Sequence, residues 1–289
     1  MSAGGHHSYC KGTQSKYNYA PQLEYNLYHS SGWLLNLIML SNSTTSVPAL
    51  DKTIRICNYL FASPGATFSQ IQQDLSLPKS STSSLLNALT VHHILRQEKG
   101  RFYLGLKLYE WGNKSLEQFD IRNIALPVLE RVRNQTGLTC HLGVLDELSP
   151  IYILKLESNH PIGIRTWEGK KLPLHSSGVG KALCAWLPEE KINVLLPDED
   201  LPRFTDTTIT KKSALMAEFA SIRNRGWAYD NEEDCPGVFC IAAPVFDHKH
   251  NVIAAISACG VQLQLPEEKI AEISQLIMNA CRDLSARML

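Results

Sequence analysis

The sequence predicts an α+β fold in two parts. An N-terminal winged helix-turn-helix is followed by a helical connector and a larger domain whose antiparallel sheet is flanked by helices. Three observations carry this. From Val47 to Gly105, three segments with helical apolar spacing precede a two-strand ribbon with a glycine turn. Past Gly137 short β-rich apolar runs alternate with helical ones. The charge also changes sign: six basic residues face three acidic ones over 47–105, against 18 basic and 22 acidic from Asp120 to the end.

Residues 1–46, rich in Ser, Tyr, Asn, His and Gly without a sustained period, are expected to be disordered. Met39 offers a second start just before the first periodic segment. In "ALDKTIRICNYLFA", Ala49, Ile54, Cys57, Leu60 and Phe61 mark a first helix, stopped by Pro64 and Gly65. Thr67 caps a short second helix carrying Phe68, Ile71 and Leu75. A third helix runs from Lys79 to about His92, with Leu85, Leu86 and Leu89 on its buried face. Ile94–Gln97 and Phe102–Leu104, joined by Glu98-Lys99-Gly100-Arg101, form the wing. This places a winged helix-turn-helix at 47–105.

A connector at 106–120 leads into a domain at 121–289. There, helices are expected at Arg122–Thr136, Gly178–Trp186, Glu189–Leu195, Lys211–Arg225 and from Pro266 to about Met288. Strands are expected at Thr139–Leu145, Ile151–Leu156, Ile162–Thr166, Trp227–Tyr229, Phe239–Phe246 and Val252–Cys259.

A compact tripod with a basic wing suits a helix laid in the major groove of double-stranded DNA. The third helix offers Lys79, Ser80, Ser81, Ser83, Ser84 and Asn87, short donors and acceptors for phosphates or base edges, and the wing adds Lys99 and Arg101. A small bundle with a solvated serine face is the plainer alternative, yet serines are weak helix formers in mid-helix.

Bulk composition narrows the rest. With 44% hydrophobic and 19% charged residues, the 289-residue chain reads as globular, and no apolar run nears the roughly 18 residues that span a bilayer. No basic n-region or small-residue cleavage site stands near Trp33–Leu40, so a cytoplasmic protein is expected. Eight scattered cysteines include no C-x-x-C pair, so neither a metal site nor a cofactor is expected.

The stretch "LPLHSSGVGKALCA" (172–185) imitates a phosphate-binding loop but lacks its first glycine, since residue 175 is His, and its Ser/Thr, since residue 182 is Ala. What remains is a helix start with Ser176 or Ser177 as cap and backbone donors near Gly178, suited to an anion or merely to tight packing. In "GWAYDNEEDCPGVFCIAAPVFDHKHNVIAAISACG" (226–260) an acidic turn enters apolar strands interrupted by Cys240, Ser257 and Cys259, which either fill core or line a small pocket.

These segments, in this order, resemble the IclR family of bacterial transcriptional regulators from about Val47 to the C-terminus. The resemblance implies a GAF-like effector-binding domain that takes a small organic acid, and a homodimer or homotetramer. It implies that Gly178 and Val179 present backbone donors to the effector, with Asp230, Cys240, Ser257 and Cys259 around it. His175, Ser177, Leu172 and Val238 are nearby candidates. Two departures stand out: Cys259 where relatives often carry Ser, and Ser84 where they often carry Arg.

A ligand-controlled repressor of an adjacent catabolic operon is therefore expected. A small-molecule-binding protein with weak or lost DNA binding stays open. An enzyme using His175 or His141 with Ser176 or Cys240 is disfavoured, because no nucleophile elbow or Cys-His signature accompanies them.

Overall fold

The computed structural model describes residues 45–116, 120–196 and 199–288. The 1–46 segment, apart from its last two residues, and part of the connector lie outside the described residues. The chain divides into two compact units after Asn113.

In the first unit Pro48 opens helix α1 (Pro48–Ala62), and Gly65, at φ 80°, turns the chain into β1 (Ala66–Thr67). Helix α2 (Phe68–Asp74) begins with a capping box: Gln70 N donates to Thr67 Oγ1 at 3.3 Å, and Thr67 N to Gln70 Oε1 at 2.9 Å. Helix α3 (Lys79–Val91) follows, then the hairpin of β2 (Leu95–Glu98) and β3 (Arg101–Leu104). Glu98 pairs with Arg101 across a two-residue turn in which Lys99 (φ 47°) and Gly100 (φ 75°) are both left-handed, the geometry that matches strand twist. Ile56, Leu60, Ile71, Leu86, Leu89, Leu95 and Phe102 form the core. On α3 the buried stripe is Thr82, Leu86 and Leu89. Leu85 is only half-buried, because a 3.6-residue period puts it at the edge of that stripe. Helix α4 (Leu106–Leu116) crosses the unit boundary.

The second unit is a five-stranded sheet in the order β5-β4-β8-β7-β6, every neighbour antiparallel. Its strands are β4 (Thr139–Asp146), β5 (Ser149–Leu156), β6 (Ala228–Asn231), β7 (Val238–Phe246) and β8 (Val252–Val261). Helices α5 (Asp120–Thr136) and α9 (Ile270–Ala286) cover one face, packing Leu129, Ile277 and Leu284 on Leu142, Ile241 and Ile256. Helices α6 (Gly178–Cys184), α7 (Glu189–Leu195) and α8 (Lys212–Arg225) serve the other, with Val179, Leu183 and Phe219 against Tyr152, Ala242 and Ala255. Helix α8 stops at Gly226 in the left-handed conformation, a glycine C-cap.

Three expectations are corrected. Residues 162–166 form no strand: the outer edge of β5 is taken by residues 169–172, where Tyr152 N donates to Lys170 O at 3.1 Å and Leu172 N to Pro150 O at 2.9 Å. The 162–166 segment is held instead by Lys155 Nζ on Ile164 O and Thr166 O, and by Gln264 Nε2 on Ile162 O. Helix α6 ends at Cys184 rather than Trp186, its chain turning toward Pro188 at the start of α7. Pro266 opens a 3₁₀ turn (Glu267–Lys269) before α9 begins. Among the described residues no helix is long and apolar enough to cross a membrane.

Candidate functional site

Strand register assembles residues that lie far apart in sequence. Asp230 pairs with Cys240, Cys240 with Cys259, and Cys259 with Thr139, a single row across β6, β7, β8 and β4. Two residues along, Ala242 pairs with Ser257 and Ser257 with His141. A strand period of two turns both rows to the same face, the one served by α6. Asp230, Cys240, Ser257 and Cys259 are thus brought together, all buried.

Helix α6 starts directly over this face because its glycines leave room. A Cβ on Gly178 would meet Cys240 Sγ at 3.1 Å, and one on Gly180 would meet Pro173 O at 2.4 Å. From the strand side, a Cβ on Gly143 would meet Val179 Cγ1 at 2.5 Å. Ser177 caps the helix: its Oγ accepts from Gly180 N at 3.0 Å and donates to Pro173 O at 2.6 Å. The Gly178 and Val179 N–H groups, in the first turn, find no acceptor among the described residues.

Charge at the site is concentrated in the acidic turn. Asp230 Oδ1 accepts from Glu233 N at 2.8 Å and Asp234 N at 3.4 Å, so this carboxylate builds the turn as well as facing the sheet. Burial pushes the Asp230 carboxyl well above its usual range and Asp234 adds to the rise, while Lys181 opposes it. Burial also raises Asp234 and Glu233. Lys181 is fully buried and donates to Tyr229 O and Glu233 Oε1, tying α6 to the turn. Ser176 sits near enough to ease the shift on Asp234, yet its Oγ makes no well-formed hydrogen bond. Ser176 Oγ, Glu233 Oε2 and Asp234 Oδ1 are buried without partners among the described residues. An unsatisfied buried polar group costs about 1–3 kcal/mol.

His141 closes the β4 end. Its ring stacks on Tyr152 with centroids 4.0 Å apart, and Nε2 lies 2.7 Å from Thr166 Oγ1. Nδ1 faces Ser257 Oγ at 3.5 Å and Cys259 Sγ at 3.8 Å. His175 is used differently: its Nε2 lies 2.8 Å from Pro202 O and burial lowers its pKa, so it fastens a loop. Ser177 is spent on the cap; Leu172 is buried and Val238 half-buried.

Sequence reasoning missed Lys181, Glu233 and Asp234 as site residues. The available signal was a lone lysine inside "GVGKALC", a helix otherwise made of Gly, Ala, Val, Leu and Cys.

In the first unit Lys79, Ser80, Ser83, Ser84 and Asn87 line the exposed face of α3, and Lys99 stands at the wing tip. Ser81 is half-buried, its Oγ donating to Pro78 O at 3.1 Å, and Ser84 Oγ donates to Ser80 O at 3.2 Å. Arg101 is exposed but Nη1 donates to Gly65 O at 2.7 Å, bracing β3 against the turn after α1. No side chain caps α3, so its first-turn N–H groups are open to a phosphate.

Comparison with known proteins agrees with both halves. Residues 113–286 match the bacterial transcriptional regulator IclR C-terminal domain, and residues 49–99 match the IclR helix-turn-helix domain. The chain belongs to the IclR family. It is 38% identical over 243 residues to the uncharacterized HTH-type transcriptional regulator RhmR of Escherichia coli (strain K12), covering 84% of this chain and 94% of that protein. The HTH-type transcriptional repressor AllR of the same strain is 30% identical over 243 residues, 83% of this chain and 90% of that one. The crystal structure of the Thermotoga maritima IclR superposes with a TM-score of 0.70 at 32% identity, covering 83% of this chain and 98% of that one. As an IclR-family member the chain is a transcriptional regulator with a DNA-binding helix-turn-helix and an effector-binding domain.

Proposed function

We propose that this IclR-family regulator is a cytoplasmic repressor of an adjacent catabolic operon, released from its operator by a small organic acid. Residues 47–105 hold the DNA, 106–120 connect, and 121–289 sense the acid, with the chain acting as a dimer or tetramer. The observation that carries the sensing role is the set of buried, unpartnered polar atoms on Ser176, Glu233 and Asp234 around the Asp230–Cys240–Cys259 row. A carboxylate suits the open N–H groups of Gly178 and Val179. A second polar end, hydroxyl or carbonyl, suits Asp230, whose carboxyl burial pushes above its usual range, and Ser257. Repression as the sign of control is supported by the likeness to AllR, whose name states it.

On the DNA side, Lys79 and Lys99 meet phosphates, while Ser80, Ser83, Ser84 and Asn87 reach base edges. The absence of an arginine at Ser84 and the bracing role of Arg101 leave few cations on this face. A protein that binds the metabolite with little DNA affinity is therefore the second reading. Fluorescence anisotropy on DNA from the chain's own upstream region separates the two. The proposal expects specific binding with a log–log salt slope of several, weakened by a member of an organic-acid panel. A slope near zero would instead favour the second reading.

A further inference from the structure

We infer that Cys240 and Cys259 form a reversible redox pair, which a small hydroperoxide converts to a cross-strand disulfide on the floor of the proposed effector site. Their Sγ atoms lie 2.7 Å apart, and both thiols are free. The two residues face each other directly in the β7–β8 ladder. Opposed residues in an antiparallel pair have Cα atoms about 4.5 or 5.5 Å apart, inside the roughly 4.4–6.8 Å that a disulfide spans. Closing the bond to its length of about 2.05 Å therefore needs side-chain movement but no change of register.

The surroundings distinguish the two sulfurs. Cys259 has His141 Nδ1 at 3.8 Å and Ser257 Oγ at 3.9 Å, and the other ring nitrogen, Nε2, lies 2.7 Å from Thr166 Oγ1. The contact with Cys240 lowers the Cys259 pKa, and His141 and Ser257 add to that. Cys240 is pushed the other way by the same contact, by burial and by Asp230. Cys259 is thus the attacking thiolate and Cys240 the resolving thiol.

The chemistry balances with a hydroperoxide as oxidant. The Cys259 sulfur attacks the peroxide oxygen: an S–O bond forms, the O–O bond breaks, and the leaving oxygen departs as water (or an alcohol) with the proton that Cys259 gave up to His141. The Cys240 sulfur then attacks the sulfenic sulfur, forming the S–S bond and breaking S–O. The hydroxyl leaves as water with the Cys240 proton. Two thiols lose two electrons and the peroxide gains them. With exposures of 3% and 4%, the pair admits only an oxidant small enough to enter the site.

Oxidation would remove two thiol donors beneath Gly178, where an added Cβ would meet Cys240 Sγ at 3.1 Å, and would alter effector affinity. That consequence rests on the proposed sensing role; the bond itself does not, and peptide mapping reads it alone. The full-length chain is treated with hydrogen peroxide, alkylated with iodoacetamide and digested with trypsin. Cys240 and Cys259 fall in separate peptides, 226–249 and 250–269. The expected product is the two peptides joined, two hydrogens lighter than their sum and separated by dithiothreitol. The link should vanish in Cys240→Ser and in Cys259→Ser, and persist in Cys235→Ser, which removes the exposed thiol sharing the first peptide. Full alkylation of both peptides after peroxide, or a link that survives in Cys240→Ser, would overturn the inference.

Discussion

Asp230 combines a structural and a recognition task, and its titration tells them apart. Because burial raises its pKa, the folded chain keeps a proton that the unfolded chain has released between the usual carboxylate value and the raised one. Stability from this group therefore increases as pH falls through the raised pKa and is lowest above it. Asp230→Asn keeps an acceptor for Glu233 N and Asp234 N while removing the buried charge. Urea denaturation at pH 8 should show a gain on the order of 1–2 kcal/mol that disappears in acid. Lys181→Met should do the opposite, leaving Glu233 as an uncompensated buried charge at a cost of about 3–5 kcal/mol. Adding Glu233→Gln should restore much of it, and no recovery in the double variant would remove the pair from the account. Cys240 and Ser257 stand out in the sequence because each interrupts an apolar strand, whereas Asp230, one acid of an acidic turn, is singled out only by the family resemblance. Lys181 was not legible, since its burial depends on a partner 52 residues away that only the folded chain brings near.

Glycines and helix starts set the geometry of the elements. Gly180→Ala would force a Cβ to 2.4 Å from the Pro173 carbonyl, a backbone atom with little freedom to yield. A stability loss above about 2 kcal/mol is expected, whereas Gly112→Ala in α4, with nothing within 4 Å, should gain about 0.5–1 kcal/mol. Thermal denaturation of the two variants side by side checks the contrast. On α3, Lys79→Ala should weaken DNA binding similarly on all sequences and lower the log–log salt slope by about 1. An unchanged slope would mean that Lys79 meets no phosphate. The helices of the first unit were readable from their caps and stops, as at Thr67 and Gly65. The 162–166 strand was misread because apolar alternation signals an extended chain but not its partner. At the β5 edge, residues 169–172 compete for that place and win.

Across the whole molecule, two compact units of opposite charge balance meet different partners: the basic one nucleic acid, the acidic one a small metabolite. The order of the units and an antiparallel sheet flanked by helices follow from periodicity and caps, but not its five strands, since a sixth was expected at 162–166. The assembly of Asp230, Cys240, Cys259 and His141 into adjacent rows depends on strand order, and a linear chain does not display that. Regulation requires that the acid bind the DNA-competent and DNA-free forms unequally, a coupling of about 1–3 kcal/mol in typical systems. The direct test is operator affinity of the wild type and of Asp230→Asn, each measured with and without the acid that binds best. The account predicts an affinity change of about 5- to 150-fold in the wild type and little or none in Asp230→Asn, with equal affinity for DNA when the acid is absent. An identical response in both proteins, or no response to any small acid in the wild type, would contradict it.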